Sequence, residues 1–211
     1  MVKFVYLIIL LPYIPFWGYL FFRGSTKIRK EMLFMSTLIA AISPVASYLW
    51  WNKDWWQPPS ILSISGVSVI EDILLGFLFG GIASVVYESF FQKKIKQSAA
   101  PRPKSFYFFV VFTLVACGLT FSLFEVNSFT AIIAALILAS LGVFYVRRDL
   151  IKSSLYSGIL TLAIALPFYF LAYFISPEWA EITYKIKTLS GVTIYNFPIE
   201  EFIFWLFYGL A

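Results

Sequence analysis

Long apolar runs alternate along the chain with short polar segments rich in Lys, Arg, Pro and Ser. Seven runs stand out: Val2 to Phe22, Met32 to Trp51, Ile61 to Phe91, Phe106 to Phe124, Phe129 to Val146, Ser153 to Ile175 and Val192 to Ala211. Their lengths lie near the roughly 20 residues with which a helix crosses about 30 Å of hydrocarbon at 1.5 Å per residue. Strict apolar–polar alternation, the mark of a membrane barrel, is missing. Prolines and charges stop the runs at 23–30, 52–59, 92–105 and 176–190, and two of these connections are long enough to fold over a mouth of the bundle. The pattern predicts an all-α integral membrane protein with seven transmembrane helices. The first run is longer than a signal-peptide core and lacks a small-residue cleavage pattern, so it reads as a retained helix.

Composition agrees: 61% of residues are hydrophobic and 13% charged, against roughly 25% charged in soluble domains. The net charge of +5 would suit nucleic acid, but here it is read by loop. Twelve of the 16 basic residues fall in 23–30, 92–105 and 147–152, facing only Glu31 and Asp149; the other four are balanced by Asp54, Glu125, Glu178 and Glu181. The positive-inside rule then puts the N-terminus outside and the C-terminus in the cytoplasm of a cell membrane. With Cys117 as the single cysteine and no histidine, no disulfide, cysteine metal cage or histidine ligand is available, and no cofactor or metal is implied.

Five acids remain outside this loop count: Glu71, Asp72, Glu88, Glu200 and Glu201. Glu88 lies near the cytoplasmic end of the third run, in reach of Lys93. The other four form two adjacent pairs inside apolar runs, Glu71-Asp72 and Glu200-Glu201, each followed eight residues after its second acid by a glycine, Gly80 and Gly209. A wider frame accompanies them: Arg29-Lys30-Glu31 and Arg147-Arg148-Asp149 each open a helix that ends near a tryptophan-containing loop, and the acid-bearing helix follows. The reading is two three-helix repeats, 1–91 and 129–211, joined by a basic linker and one connecting helix over 92–128. That single helix gives both repeats the same orientation, related by an axis along the membrane normal, with the acid pairs at similar depth in the outer half.

An ionisable side chain in a membrane helix costs on the order of 2.5 to 3.5 kcal/mol at the centre, so such residues are functional by default. A carboxyl in low dielectric favours its neutral form, and a neighbouring carboxylate disfavours a second charge. The expectation is one protonated acid and one ionised base facing one pocket, with Glu71, Asp72, Glu200 and Glu201 as catalytic candidates. Adjacent helical positions diverge by about 100°, so one acid of each pair faces the cavity and the other supports it. Pro198, in or starting a helix, frees a carbonyl and can bend the chain beside Glu200. Phe79, Phe204 and Trp205 are candidate substrate contacts whose ring faces would stabilise a cation. The bland alternative, acids that only fix helix register through hydrogen bonds, is weakened by the repetition of the pair. Trp50, Trp51, Trp55, Trp56 and Trp179 read as an interfacial belt, the run from Lys93 to Lys104 as an anionic-lipid contact, and Gly76, Gly80 and Gly81 as points of close helix approach.

The stretch Pro198-Ile199-Glu200-Glu201 followed by Phe202-Ile203-Phe204-Trp205, the earlier Ile70-Glu71-Asp72, the loop Trp55-Trp56-Gln57-Pro58 and Tyr87-Glu88 together resemble the lycopene cyclase domain. This small, duplicated membrane cyclase occurs as a heterodimer or as one fused chain, and the resemblance covers nearly the whole length in the fused arrangement. It implies an isomerase that turns the linear ends of lycopene or a related carotene into rings without net redox change, needing no cofactor. The implied partners are a lipophilic linear carotenoid and membrane lipid, without nucleic acid; homo- and hetero-oligomers both fit. Val69 and Asp72 depart from the proline and glutamate of the second copy, so the first site is expected to be altered or accessory. The chain stops at Ala211, ten residues after Glu201, where family members usually continue, so the expectation is either a divergent relative or an activity that needs a partner. Competing readings are a non-enzymatic carotenoid or isoprenoid binder and a proton-coupled transporter, whose cavity would open to both sides. A retinal Schiff base needs a lysine that 196–211 lacks, and the missing histidines speak against a metalloprotease.

Overall fold

The computed structural model describes residues 2–91, 118 and 127–211. The basic loop 92–105, Cys117, Glu125 and, apart from Gly118, the run Phe106 to Phe124 lie outside the described residues. Apart from two short hairpins the described residues are mainly helical, and among them five helical stretches are long and apolar enough to cross a bilayer: Val2–Arg23, Thr26–Asp54, Val69–Phe91, Ser128–Tyr145 and Arg148–Ile175.

The first stretch is two helices, α1 (Val2–Leu10) and α2 (Tyr13–Arg23). The break follows from Pro12, which lacks an N–H and crowds the carbonyl four residues back. Ser25 caps α3 (Thr26–Ala46), which carries Pro44 in its last turn. Past that proline the chain widens into a π turn, Ser47–Trp51, and a short helix, α4 (Asn52–Asp54). Such widened turns appear where a helix must re-aim its side chains; this one delivers Trp55 and Trp56 to the interior, where they are 4% and 6% exposed.

Two elements contradict the expected spans. Within the run Ile61 to Phe91 the helix, α5 (Val69–Phe91), begins only at Val69, because β1 (Ser63–Ile64) and β2 (Val67–Ser68) form a hairpin first. Likewise α9 (Ile199–Leu210) occupies only the end of Val192 to Ala211, after β3 (Thr193–Ile194) and β4 (Phe197–Pro198). At 1.5 Å per residue α9 extends about 18 Å, short of the hydrocarbon thickness. Both turns put their two central residues at positive φ, Ser65 at 52° and Gly66 at 82°, Tyr195 at 51° and Asn196 at 66°. This is the twist that tight two-residue hairpins require. Hydropathy alone missed them because Ile64, Val67, Ile194 and Phe197 keep each hairpin inside an apolar run despite Ser63, Ser65, Gly66, Ser68, Thr193 and Asn196. Pro198 therefore sits at the end of a strand as the N-cap of α9, ahead of Glu200, and does not kink the helix as expected.

Between the hairpins lie α6 (Ser128–Val146), capped by Asn127, then α7 (Ile151–Ile175) and the short α8 (Glu178–Thr183). Helix α3 packs along α5, and α7 along α9. Glycines set the separation. A Cβ on Gly80 would lie 2.8 Å from Ile39 Cβ and 2.9 Å from the Met35 carbonyl oxygen; one on Gly209 would lie 2.5 Å from Thr161 Cβ and 2.9 Å from the Ser157 oxygen. Backbone cannot yield there, so only glycine permits these crossings.

Gly80→Ala should therefore force α3 and α5 apart and cost about 1–3 kcal/mol, read as a lower midpoint on unfolding in detergent. Gly18→Ala, with nothing within 4 Å of the added carbon, should leave the midpoint unchanged or slightly raised.

Candidate active site

Both acid pairs fall in the first turn of a helix, directly after a hairpin. There the free N–H groups and the positive end of the helix dipole favour negative charge, which supplies part of what a cation would otherwise supply. All four acids are buried, none more than 5% exposed.

Within each pair the two side chains do different things. Glu71 accepts the Ile61 amide at 2.9 Å, and Glu200 accepts the Ser190 amide at 2.6 Å, so each first acid reaches ten residues back to clasp the segment leading into its hairpin. The second acids turn to aromatic donors. Asp72 Oδ1 accepts the Tyr6 hydroxyl of α1 at 3.0 Å. Glu201 accepts at both oxygens, Trp55 Nε1–H on Oε1 at 2.7 Å and the Tyr169 hydroxyl on Oε2 at 2.7 Å. Tyr169 in turn accepts from Trp205 Nε1–H.

Trp55, Trp56 and Trp179 correct the belt reading: they are buried inside the bundle, at 4%, 6% and 0% exposure. A belt tryptophan meets headgroups with its N–H, whereas the Trp55 N–H meets a carboxylate. Strand-like pairing holds this tryptophan loop in place. Trp56 bridges to Tyr184, the Gln57 amide donates to the Thr183 carbonyl at 2.8 Å, and the Lys185 amide donates to the Trp55 carbonyl at 3.0 Å. Tyr184 also lies close to Glu201; burial, with that carboxylate nearby, pushes its phenol well above the ordinary range, so it stays neutral.

Beside Glu201 opens a cleft with about 580 Å³ of empty space, part of it open to the surroundings. Its walls come from α3, the tryptophan loop, α5, α7 and α9, and include Trp51, Trp55, Phe79, Tyr169, Phe204 and Trp205. Glu201 is the carboxylate among the lining residues; Glu71, Asp72 and Glu200 do not line it, nor does Pro198. Three of the four expected aromatic and proline contacts, Phe79, Phe204 and Trp205, do, with the Phe79 and Trp205 rings 4.4 Å apart. Sequence reasoning left out Tyr6, Trp55 and Tyr169 as partners of the acids. With 13 tyrosines and seven tryptophans in the chain, no spacing marks the ones that reach a carboxylate.

Searches among curated proteins and among solved structures gave no match. The family model for lycopene cyclase matches residues 126–211, the segment that carries α6, α7, α9, Tyr169, Glu200, Glu201 and Trp205. In this segment, which is less than half of its length, the chain is similar to the lycopene cyclase family.

Proposed function

We propose that the chain is a lycopene cyclase-like isomerase that closes the linear ends of a carotenoid into rings by acid-initiated cyclisation, without net redox change. The observation that carries the reading is the aromatic cleft with one buried carboxyl, Glu201, in its wall, inside the segment that matches the family. Glu201, protonated, gives its proton to the terminal double bond of the substrate. The tertiary cation that results is attacked by the nearby internal double bond, and a ring C–H proton then leaves to the Glu201 carboxylate. One proton goes on and one comes off, so a single carboxyl closes the cycle. The ring faces of Phe79, Phe204 and Trp205 are suited to stabilise the cation, and apolar walls keep out water that would trap it.

The same reading treats 1–91 and 129–211 as two copies of one three-helix unit with 92–128 as the connection. Support comes from the paired hairpins, the paired glycine crossings and the ten-residue clasp made by each first acid. In this arrangement the Asp72 half is accessory: Tyr6 ties Asp72 to α1. The N-terminus and both hairpins face outward, and the basic loops face the cytoplasm.

In lycopene-accumulating bacteria the wild-type chain should convert lycopene to cyclic carotenes, seen by chromatography of the extracted pigments. Glu201→Gln should lower the cyclic product at least ~100-fold at equal membrane abundance; unchanged lycopene with the wild type inserted in the membrane would count against the reading. For topology, in a Cys117→Ser background Lys187→Cys should react with an impermeant maleimide added outside intact cells, and Lys30→Cys only after lysis. The reverse pattern would invert the assignment.

A further inference from the structure

The cyclase reading leaves open what decides the position of the new ring double bond. Once the ring cation has formed, protons on different neighbouring carbons can leave, and each loss gives a different ring isomer. These losses share the same chemistry, so the outcome rests on which C–H faces the accepting oxygen.

The direction of the hydrogen bonds at Glu201 is fixed by the donor inventory. An indole N–H can only donate, and a phenol has one proton to give. Because Trp205 Nε1–H donates to the Tyr169 oxygen, the Tyr169 proton is aimed at Glu201 Oε2. Trp55 Nε1–H occupies Oε1 from the other side. The carboxyl cannot rotate without losing one of these bonds. Its donors are themselves buried: Tyr169 is 3% exposed and Trp55 4%. The Tyr169 ring packs on Phe197 and Phe202 at 5.0 and 5.3 Å. Trp55 is pinned by the Lys185 amide and by the rings of Phe129 and Phe204 at 5.4 and 5.3 Å. Donors already aimed at the oxygens on which charge develops need no rearrangement when Glu201 gives up its proton.

We propose that Tyr169, locked by Trp205, and Trp55 are positioning residues that fix how Glu201 presents its oxygens to the substrate, and thereby set which ring proton is lost. The inference rests on the cyclase reading. In the step concerned the ring C–H bond breaks, its proton passes to a Glu201 oxygen, and its electron pair becomes the ring double bond that neutralises the cation. Glu201 so recovers the proton it gave at the start.

The test compares full-length wild type, Tyr169→Phe, Trp205→Phe and Trp55→Phe in lycopene-accumulating cells, with membrane abundance matched and ring isomers separated by chromatography. Tyr169→Phe keeps the ring and its packing but removes the proton donor. It should cut cyclic product about ten-fold, the effect of losing one hydrogen bond to a charged group, and shift the ratio of ring isomers. Trp205→Phe should shift the ratio in the same direction with a smaller loss of yield, and it decides the matter alone if Tyr169→Phe fails to accumulate. Wild-type isomer ratios in these variants, whatever the yield, would overturn the inference while leaving the cyclase reading intact. A wild-type chain that makes no cyclic carotene would overturn both.

Discussion

Four carboxyl groups sit inside an apolar bundle, and the arrangement of the surrounding elements follows from making that tolerable. An ionised carboxylate without partners is too costly to bury, and the salt bridges among the described residues involve none of the four. The chain answers with geometry. A hairpin ends, a helix begins, and the acids occupy its first turn, where unpaired amides and the helix dipole favour negative charge. Backbone amides at Ile61 and Ser190 and the side chains of Tyr6, Tyr169 and Trp55 complete the set of donors. This also explains why the two acid-bearing helices cannot start where their apolar runs start.

The same constraint ties the halves of the chain to each other. Glu201 belongs to the last helix, yet one of its donors, Trp55, comes from the loop after α3. That loop is held by strand-like pairing with residues 183–185, which lie just before the second hairpin. Lys185 adds its ammonium to the Lys53 carbonyl at 3.2 Å, at the end of the helical stretch that carries the tryptophans. A change in this crossing would thus move a donor of the carboxyl without touching the helix on which the carboxyl stands.

The cleft draws its character from what the acids leave free. With Glu71 and Glu200 engaged by backbone and Asp72 by Tyr6, the wall beside Glu201 is aromatic and aliphatic, and one carboxyl faces it. Glycine crossings bring α3 against α5 and α7 against α9 closely enough for side chains from all four helices to line one space. A lone carboxyl with two side-chain donors thus stands in an aromatic and aliphatic wall.

Much of this was legible in residue order because it depends on local chemistry. Apolar runs mark the helical stretches, since hydrocarbon excludes unpaired backbone. The acids announce themselves by their cost, and the repeated Glu-Asp and Glu-Glu pairs with glycine eight residues later marked the two helices whose first turns carry buried acids. Residue order also marked Gly76, Gly80 and Gly81 as contact points, and a Cβ on each would strike α3. The hairpins before α5 and α9 were not legible, because Ile64, Val67, Ile194 and Phe197 are as apolar as helix residues and only the pairing across the turn distinguishes them. Trp55, Trp56 and Trp179, read as an interfacial belt, are interior, and Trp55 donates to a carboxylate, because a side chain's depth depends on which element covers it. Which acid faces the cleft, and which aromatic hydroxyl or indole meets it, arises between residues as far apart as Trp55 and Glu201. Such a contact exists only once the helices have crossed, so tertiary packing alone decided it.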